Sequence, residues 1–348
     1  MIAPSVGPAP LRNTIRGSAA IVGAGRSAVG RVTGRTPLAL AAAAAKAALA
    51  DAGIARGRID GVLASVAFAA PFHRFSVAFS EYFGITPTFS NTLQVSGATA
   101  ATMFNIAAAA VAGGLAENVL VLGADSLLSG LSPDHAMRTP GAQMTEPITV
   151  DDVLNSGWVT TPYHKLDCSL ISDGAAAFVV SAADRVGEFK SKPVYILGAG
   201  ECYTHEHIFL MPSLTTTGAV QSSARAYAMA GCTPKDIDVA GVYDCFTGTV
   251  IMMLEDLGFC PKGEGGRFVD DRQITYGGSI PCNTHGGLLS YAHPGMPGSL
   301  LHFLEVVQQL RGQCGERQVA GAELGLVHSL GAGFATQATT ILGTEATL

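Results

Sequence analysis

The chain has 348 residues, enough for two or three domains' worth of polypeptide, and 48% of them are hydrophobic against 14% charged, which points to large buried interfaces. Lys plus Arg number 21 against 27 Asp plus Glu, and the net charge of -6 excludes a basic field built to hold nucleic acid. Seven cysteines, an odd count without a CxxC pair, argue for reduced thiols in the cytoplasm and against a metal site in the chain.

Residues 1–16 carry Pro4, Pro8 and Pro10 and no apolar run, so they read as a flexible tail and not as a secretory signal. Next, Gly23-Ala24-Gly25-Arg26-Ser27-Ala28 imitates a dinucleotide-binding fingerprint after a strand. No helix opens before Thr36-Pro37, however, and the fingerprint has force only where it opens one. The runs Leu38 to Ala50 and Ala100 to Ala112 are Ala-rich helices interrupted by Lys46 and Asn105, short of the roughly 20 apolar residues that span a bilayer. Phe68, Phe72, Phe75, Phe79 and Phe83 form a stripe that suits a core or a subunit interface better than an acyl tunnel.

Two stretches 178 positions apart (224 minus 46) echo each other. Lys46 to Gly53 continues to Ile59-Asp60, and Ala224 to Gly231 continues to Ile237-Asp238; in each a helix stops at Ala-Gly, five residues pass, and Ile-Asp leads into an apolar strand. A second echo follows. The helix ending at Gly113-Gly114 feeds the strand Val119 to Gly123, and the helix ending at Arg311-Gly312 leads to the strand Glu323 to Val327, closing on His328. Helices alternating with Val/Ile/Leu-rich strands define the α/β class, with sheets buried on both faces. The duplication divides the chain into residues 17–187 and 188–348, with a charged, proline-containing break before the strand Val194 to Leu197.

The run Asn283 to Gly295 holds Gly286, Gly287, His285, Tyr291, His293 and Pro294. Glycines with free access to positive φ, two imidazoles and a phenol make an active-site loop; the alternative is a surface turn with incidental histidines.

Together with this loop and the closing Gly331-Ala332-Gly333, four segments carry a family likeness: Tyr243-Asp244-Cys245-Phe246-Thr247, Leu254 to Gly265, Asp167-Cys168-Ser169-Leu170, and Ser172-Asp173-Gly174-Ala175. Over about residues 17–345 the chain resembles the thiolase superfamily, in particular its sterol-carrier-protein-x and lipid-transfer-protein branch. The resemblance implies a five-layered αβαβα fold of two similar halves, a homodimer, and a site for acyl-coenzyme A, which enters as part of the substrate with no permanently bound cofactor. It also implies a nucleophilic cysteine about 16 residues before Gly113, and that position is Gly97, within Val95-Ser96-Gly97-Ala98-Thr99. Tyr243 stands where the relatives carry an amide, His293 keeps the histidine of the Gly-His-Pro segment, and His328 replaces the final acid/base cysteine.

Without a thiolate there is no acyl-enzyme, so the reading is retro-aldol cleavage of a β-hydroxyacyl thioester through an enolate, as in the branch that degrades steroid side chains. Tyr243, His293, His285 and His328 are the candidate catalytic residues; Ser96, Gly97, Gly286, Gly287, Tyr291 and Gly331 are the candidate substrate-lining residues. Ser96 also reads as an N-cap, Tyr243 as a strand-end core tyrosine, and His328 as a structural imidazole. An acyltransferase with another nucleophile and a non-catalytic subunit remain as alternatives. The interval 126–165, with Pro133, Pro140, Pro147 and Pro162, is a shortened form of the loop domain that binds coenzyme A in relatives, and it leaves room for a small accessory protein with an OB-fold and a zinc ribbon.

Overall fold

A computed structural model describes residues 15–70, 72–130 and 144–348. Of the tail expected over residues 1–16, only Ile15 and Arg16 lie among them, and Arg16 is anchored, its guanidinium donating to the carbonyls of Ala230 and Thr347. The strands are β1 (Ala19–Arg26), β2 (Gly61–Ser65), β3 (Phe89–Leu93), β4 (Asn118–Ser126), a small hairpin of β5 (Trp158–Thr160) and β6 (Tyr163–His164), β7 (Asp173–Ala182), β8 (Val194–Tyr203), β9 (Val239–Val242), β10 (Leu324–Gly331) and β11 (Thr336–Gly343). The main helices are α1 (Pro37–Ala52), α2 (Phe75–Phe83), α3 (Thr99–Ala112), α4 (Ala219–Ala230), α5 (Thr247–Asp256) and α6 (Gly298–Arg311).

Nine strands join in the order β3-β2-β4-β7-β1-β8-β11-β10-β9. That order is a near palindrome. Parallel β2 and β4 correspond to parallel β9 and β10, antiparallel β7 and β1 correspond to β11 and β8, and the halves meet where β1 pairs with β8 over two residues. Helices α3 and α6 touch strands of both halves and form the middle layer, while α1 and α2 cover the outer face of one half and α4 covers the other. Gly53 and Gly231 end α1 and α4 at φ 74° and 71°, the left-handed cap that the two Ala-Gly stops predict.

Gly23 and Gly25 lie inside β1, where a Cβ would strike the backbone of Ala48 on α1; Gly198 and Gly200 of β8 meet Ala226 and Ser222 of α4 in the same way. The apparent dinucleotide fingerprint is therefore a helix-packing feature used once in each half. Phe75, Phe79 and Phe83 are core residues of α2, whereas Phe68 and Phe72 are exposed, so the aromatic stripe divides. At one end of the sheet the outer edge of β9 is occupied by residues 281–283, with Ala240 N donating to the Pro281 carbonyl and Asn283 N to that of Ala240. No helix among the described residues is long and apolar enough to cross a membrane.

Replacing Gly25 by Ala brings a methyl group to 2.6 Å from Cβ of Ala47, on a helix that cannot retreat from the sheet. We expect a loss of about 3 kcal/mol, read as a lower denaturant midpoint at unchanged slope.

Candidate active site

Tyr243 follows β9 at the carboxyl end of the strand, and its backbone N donates to the His328 carbonyl. Its phenol is buried and its hydroxyl lies 3.0 Å from Nε2 of His293, the two rings standing edge to face. The other ring nitrogen of His293, Nδ1, is 2.8 Å from Oγ of Ser169. Ser169 is placed by a strap of chain: its N donates to the Cys245 carbonyl, Leu170 N to that of Leu288, and Ser172 N to that of His293. One short segment thus ties the Tyr243 and His293 stretches together.

Burial pushes the Tyr243 phenol well above its usual range, helped by Cys245 and Asp244, so it keeps its proton. Burial likewise lowers His293 to about 4, and the imidazole is neutral near pH 7. A protonated phenol beside a neutral imidazole is satisfied when Tyr243 O–H donates to Nε2 and Nδ1–H donates to Ser169 Oγ. The pair is therefore a donor backed by a base. It is not a phenolate.

At Gly97 a Cβ would fall on the Leu330 carbonyl oxygen and stand 2.9 and 3.0 Å from Cζ and Oη of Tyr243. The phenol occupies the ground that a side chain would need there, so the missing nucleophile and the tyrosine are one arrangement. Gly331 abuts the loop in turn, since its Cβ would strike Gly97 N and Ser96. Ser96 does not cap α3 with its side chain: at φ 55° its Oγ accepts from Ala332 N and pins the two loops together.

Other expected site residues lie elsewhere. His328 is fully buried in β10 with Nδ1 and Nε2 each 2.9 Å from Thr339 Oγ1 and Gln337 Oε1 on β11, the bonding that its reading as a structural imidazole calls for. Gly286 and Gly287 take φ of 101° and 64°, and a Cβ at Gly287 would strike the Asp244 carboxylate. Asp244 accepts from Leu288 N at 2.8 Å and faces Nε2 of His302 at 3.2 Å. Burial alone would raise this carboxyl; His302 and the Leu288 N–H bring it below the ordinary range. His285 and Tyr291 face away from the Tyr243–His293 pair and line a separate cavity. Sequence reasoning missed His302 and Ser169. The polar residues His302, Glu305 and Gln309, spaced along one side of α6, were the available signal for the first.

A pocket of about 570 Å³ lies beside this pair, lined by Ser169, the hydrogen-bond partner of His293, and by Leu170, Leu289, Ile148, Val159 and Leu166 among others; Tyr243 and His293 are not in its wall. Several of its residues come from 144–166; of the shortened loop region the structure describes the helical turns Leu127–Gly130 and Val150–Leu154 and the β5–β6 hairpin, and Pro133 and Pro140 lie outside the described residues.

Two mirrored α/β halves enclosing paired central helices, with a Tyr–His pair at the strand ends, define a thiolase-fold enzyme. The family model for the thiolase C-terminal domain-like region matches residues 200–344. A lyase of Mycobacterium tuberculosis named for 17-hydroxy-3-oxo-4-pregnene-20-carboxyl-CoA is 32% identical over 383 aligned positions, covering 90% of this chain and 96% of that protein. An acetyl-CoA acetyltransferase of Methanothermobacter thermautotrophicus is 41% identical over 207 residues, 59% of this chain and only 54% of its own length. Among solved structures, the Ltp2-ChsH2(DUF35) aldolase superposes with a TM-score of 0.84 at 29% identity, covering 95% of this chain and 99% of that one. The chain belongs to the thiolase superfamily, in its lipid-transfer and aldolase branch.

His285, His293 and His328 are all buried and depressed, to about 3, 4 and 4, whereas in an unfolded chain they titrate near about 6.5. Below pH 6.5 the unfolded state takes up protons that the folded state refuses. Stability is therefore full above that pH and falls as pH drops towards 4, and differential scanning calorimetry should record a falling melting temperature between pH 6.5 and 4.5.

Proposed function

We propose that this protein cleaves a β-hydroxyacyl-CoA by a retro-aldol reaction, with a steroid or comparable lipid side chain as the acyl group. The observation that carries the reading is the Tyr243 phenol packed on Gly97: acid/base machinery stands where a nucleophile would have to be. The name of the M. tuberculosis relative and the aldolase among the solved structures support it. The apolar pocket beside Ser169 gives the acyl thioester a route to the pair.

In the proposed reaction the substrate's β-hydroxyl gives its proton to Tyr243 Oη while Tyr243 passes its own to Nε2 of His293. The Cα–Cβ bond then breaks; its electron pair becomes the thioester enolate, and the β-carbon leaves as a ketone or aldehyde. The imidazolium stands beside the new negative charge and stabilises it. It returns the proton through Tyr243 to Cα, and Ser169 holds the imidazole in one orientation throughout. Every proton is accounted for without a covalent intermediate.

A homodimer is the second part of the proposal. Among the described residues strand β3 pairs only with β2, which leaves its other edge open, and its residues are half-buried or exposed in the single chain. An accessory protein is the third, supported by the two-component aldolase and by the exposed apolar residues Ile148, Val150, Leu154, Trp158 and Val159 beside the pocket. The seven unpaired cysteines support a reducing, cytoplasmic setting.

Tyr243→Phe should lower kcat on a β-hydroxyacyl-CoA by about 10³ or more with the fold retained, and near-normal turnover would remove the mechanism. Because His293 must start neutral, kcat/KM should stay level from pH 8 to about 5 and fall towards unit slope below about 4; a rate that rises on acidification would mean that the imidazolium is the starting form. Mass spectrometry after incubation with acyl-CoA should find no acyl adduct on the protein. An adduct would turn the reading to acyl transfer. Sedimentation should give twice the 35.6 kDa chain mass, and a monomer at micromolar concentration would remove the dimer.

A further inference from the structure

The hairpin return between β10 and β11 is strained. Ala332, Gly333 and Phe334 take φ of 50°, 60° and 69°, a left-handed run in which only the middle residue is glycine. Ser96, whose Oγ accepts from Ala332 N, is left-handed as well, so three of the five non-glycine residues with positive φ among the described residues meet beside Gly97. Such a conformation lasts only where its surroundings enforce it.

The contacts that enforce it run inward to a buried pair. Gln337 Nε2 donates to the Phe334 carbonyl at 2.9 Å, and Gln337 Oε1 lies 2.9 Å from Nε2 of His328. An amide oxygen only accepts, so the His328 proton sits on Nε2, and Nδ1 accepts from the Thr339 hydroxyl. Burial keeps the ring neutral near pH 7, and a neutral imidazole has one donor and one acceptor, both spent here. A second hold comes from outside: Nε2 of the half-buried His205 is 3.1 Å from the Gly333 carbonyl, its Nδ1 is 2.8 Å from Thr204 Oγ1, and Thr204 N donates to the Ala335 carbonyl. The turn in turn carries the segment before it. The Leu330 carbonyl oxygen stands 2.0 Å from where a Cβ of Gly97 would be, the Tyr243 hydroxyl stands 3.0 Å from that same point, and Gly331 abuts Gly97 N.

We propose that His328 is a positioning residue for cleavage: through Gln337 and the Phe334 carbonyl it locks the turn 332–334 left-handed, which presses Leu330 and Gly331 against Gly97 and fixes the wall beside the Tyr243 hydroxyl. On the aldolase reading of the Tyr243–His293 pair, on which this rests, the buried imidazole moves no proton and instead sets where the phenol stands. With the hold released, Ala332 and Phe334 return to the right-handed region, Leu330 and Gly331 back away from Gly97, and the phenol loses its stop. The pocket beside Ser169 is lined by other residues, so the loss falls on kcat and spares KM.

The test is steady-state kinetics of the full chain on a β-hydroxyacyl-CoA, with amide hydrogen exchange over residues 330–336 followed by mass spectrometry. His328→Leu should lower kcat by about tenfold or more, keep KM within about twofold, and speed exchange over 330–336 by about tenfold. His328→Gln, whose amide nitrogen can still donate to Gln337, should recover most of kcat. So should Ala332→Gly added to His328→Leu, because glycine holds the left-handed conformation unaided. His205→Ala, at the outer hold, should repeat the loss on a smaller scale and serves should His328→Leu fail to fold. Unchanged kcat overturns the proposal, as does a loss that neither His328→Gln nor Ala332→Gly relieves. Exchange over 330–336 that stays at the wild-type rate in both His328→Leu and His205→Ala overturns it whatever the activity. A protein that cleaves no β-hydroxyacyl-CoA at all overturns the aldolase reading and, with it, the catalytic use of the turn, while the exchange rates still decide whether His328 holds it.

Discussion

The buried carboxylate of Asp244 is the constraint on which the site depends. It lies so close to Gly287 that no side chain fits between them, accepts the Leu288 N–H, and faces His302 from the central helix α6. A charge held in the interior is stable only while those partners remain, which fixes the loop against the end of β9. Tyr243 precedes Asp244 in sequence and His293 follows the loop it holds, so the same contact sets the distance between them. Removing the carboxylate would free the loop before it altered any group that touches substrate.

The chemistry of the pair follows from burial more than from charge. Neither the phenol nor the imidazole ionises readily in this setting; in the proposed mechanism the imidazole carries charge only while the enolate exists. A thiolase works in the opposite way, with a resting thiolate, and the sterically closed position at Gly97 removes that option.

Much of the fold was legible because the duplication leaves a periodic mark. The Ala-Gly stops, the following Ile-Asp pairs and the apolar strands recur at near-constant spacing, and they mark real caps and strands. Tyr243 and His293 were likewise readable as a pair. What the sequence hides is the direction in which a side chain points. His285 and His293 are eight residues apart in one loop, yet His285 lines a cavity while His293 bonds Tyr243 and Ser169, and His328 spends both nitrogens on β11, a choice set by strand register and invisible in composition. Glycines misled for a related reason: at Gly23, Gly25 and Gly287 the close visitor is the protein itself.

The near-palindromic strand order is broken by one element, since β3 has no counterpart in the second half, while at the opposite end residues 281–283 already occupy the margin of β9. Among the described residues the nine-stranded sheet thus offers one unpaired rim. Association through that rim consumes it on both molecules, so growth terminates at a closed pair and cannot propagate into a fibre.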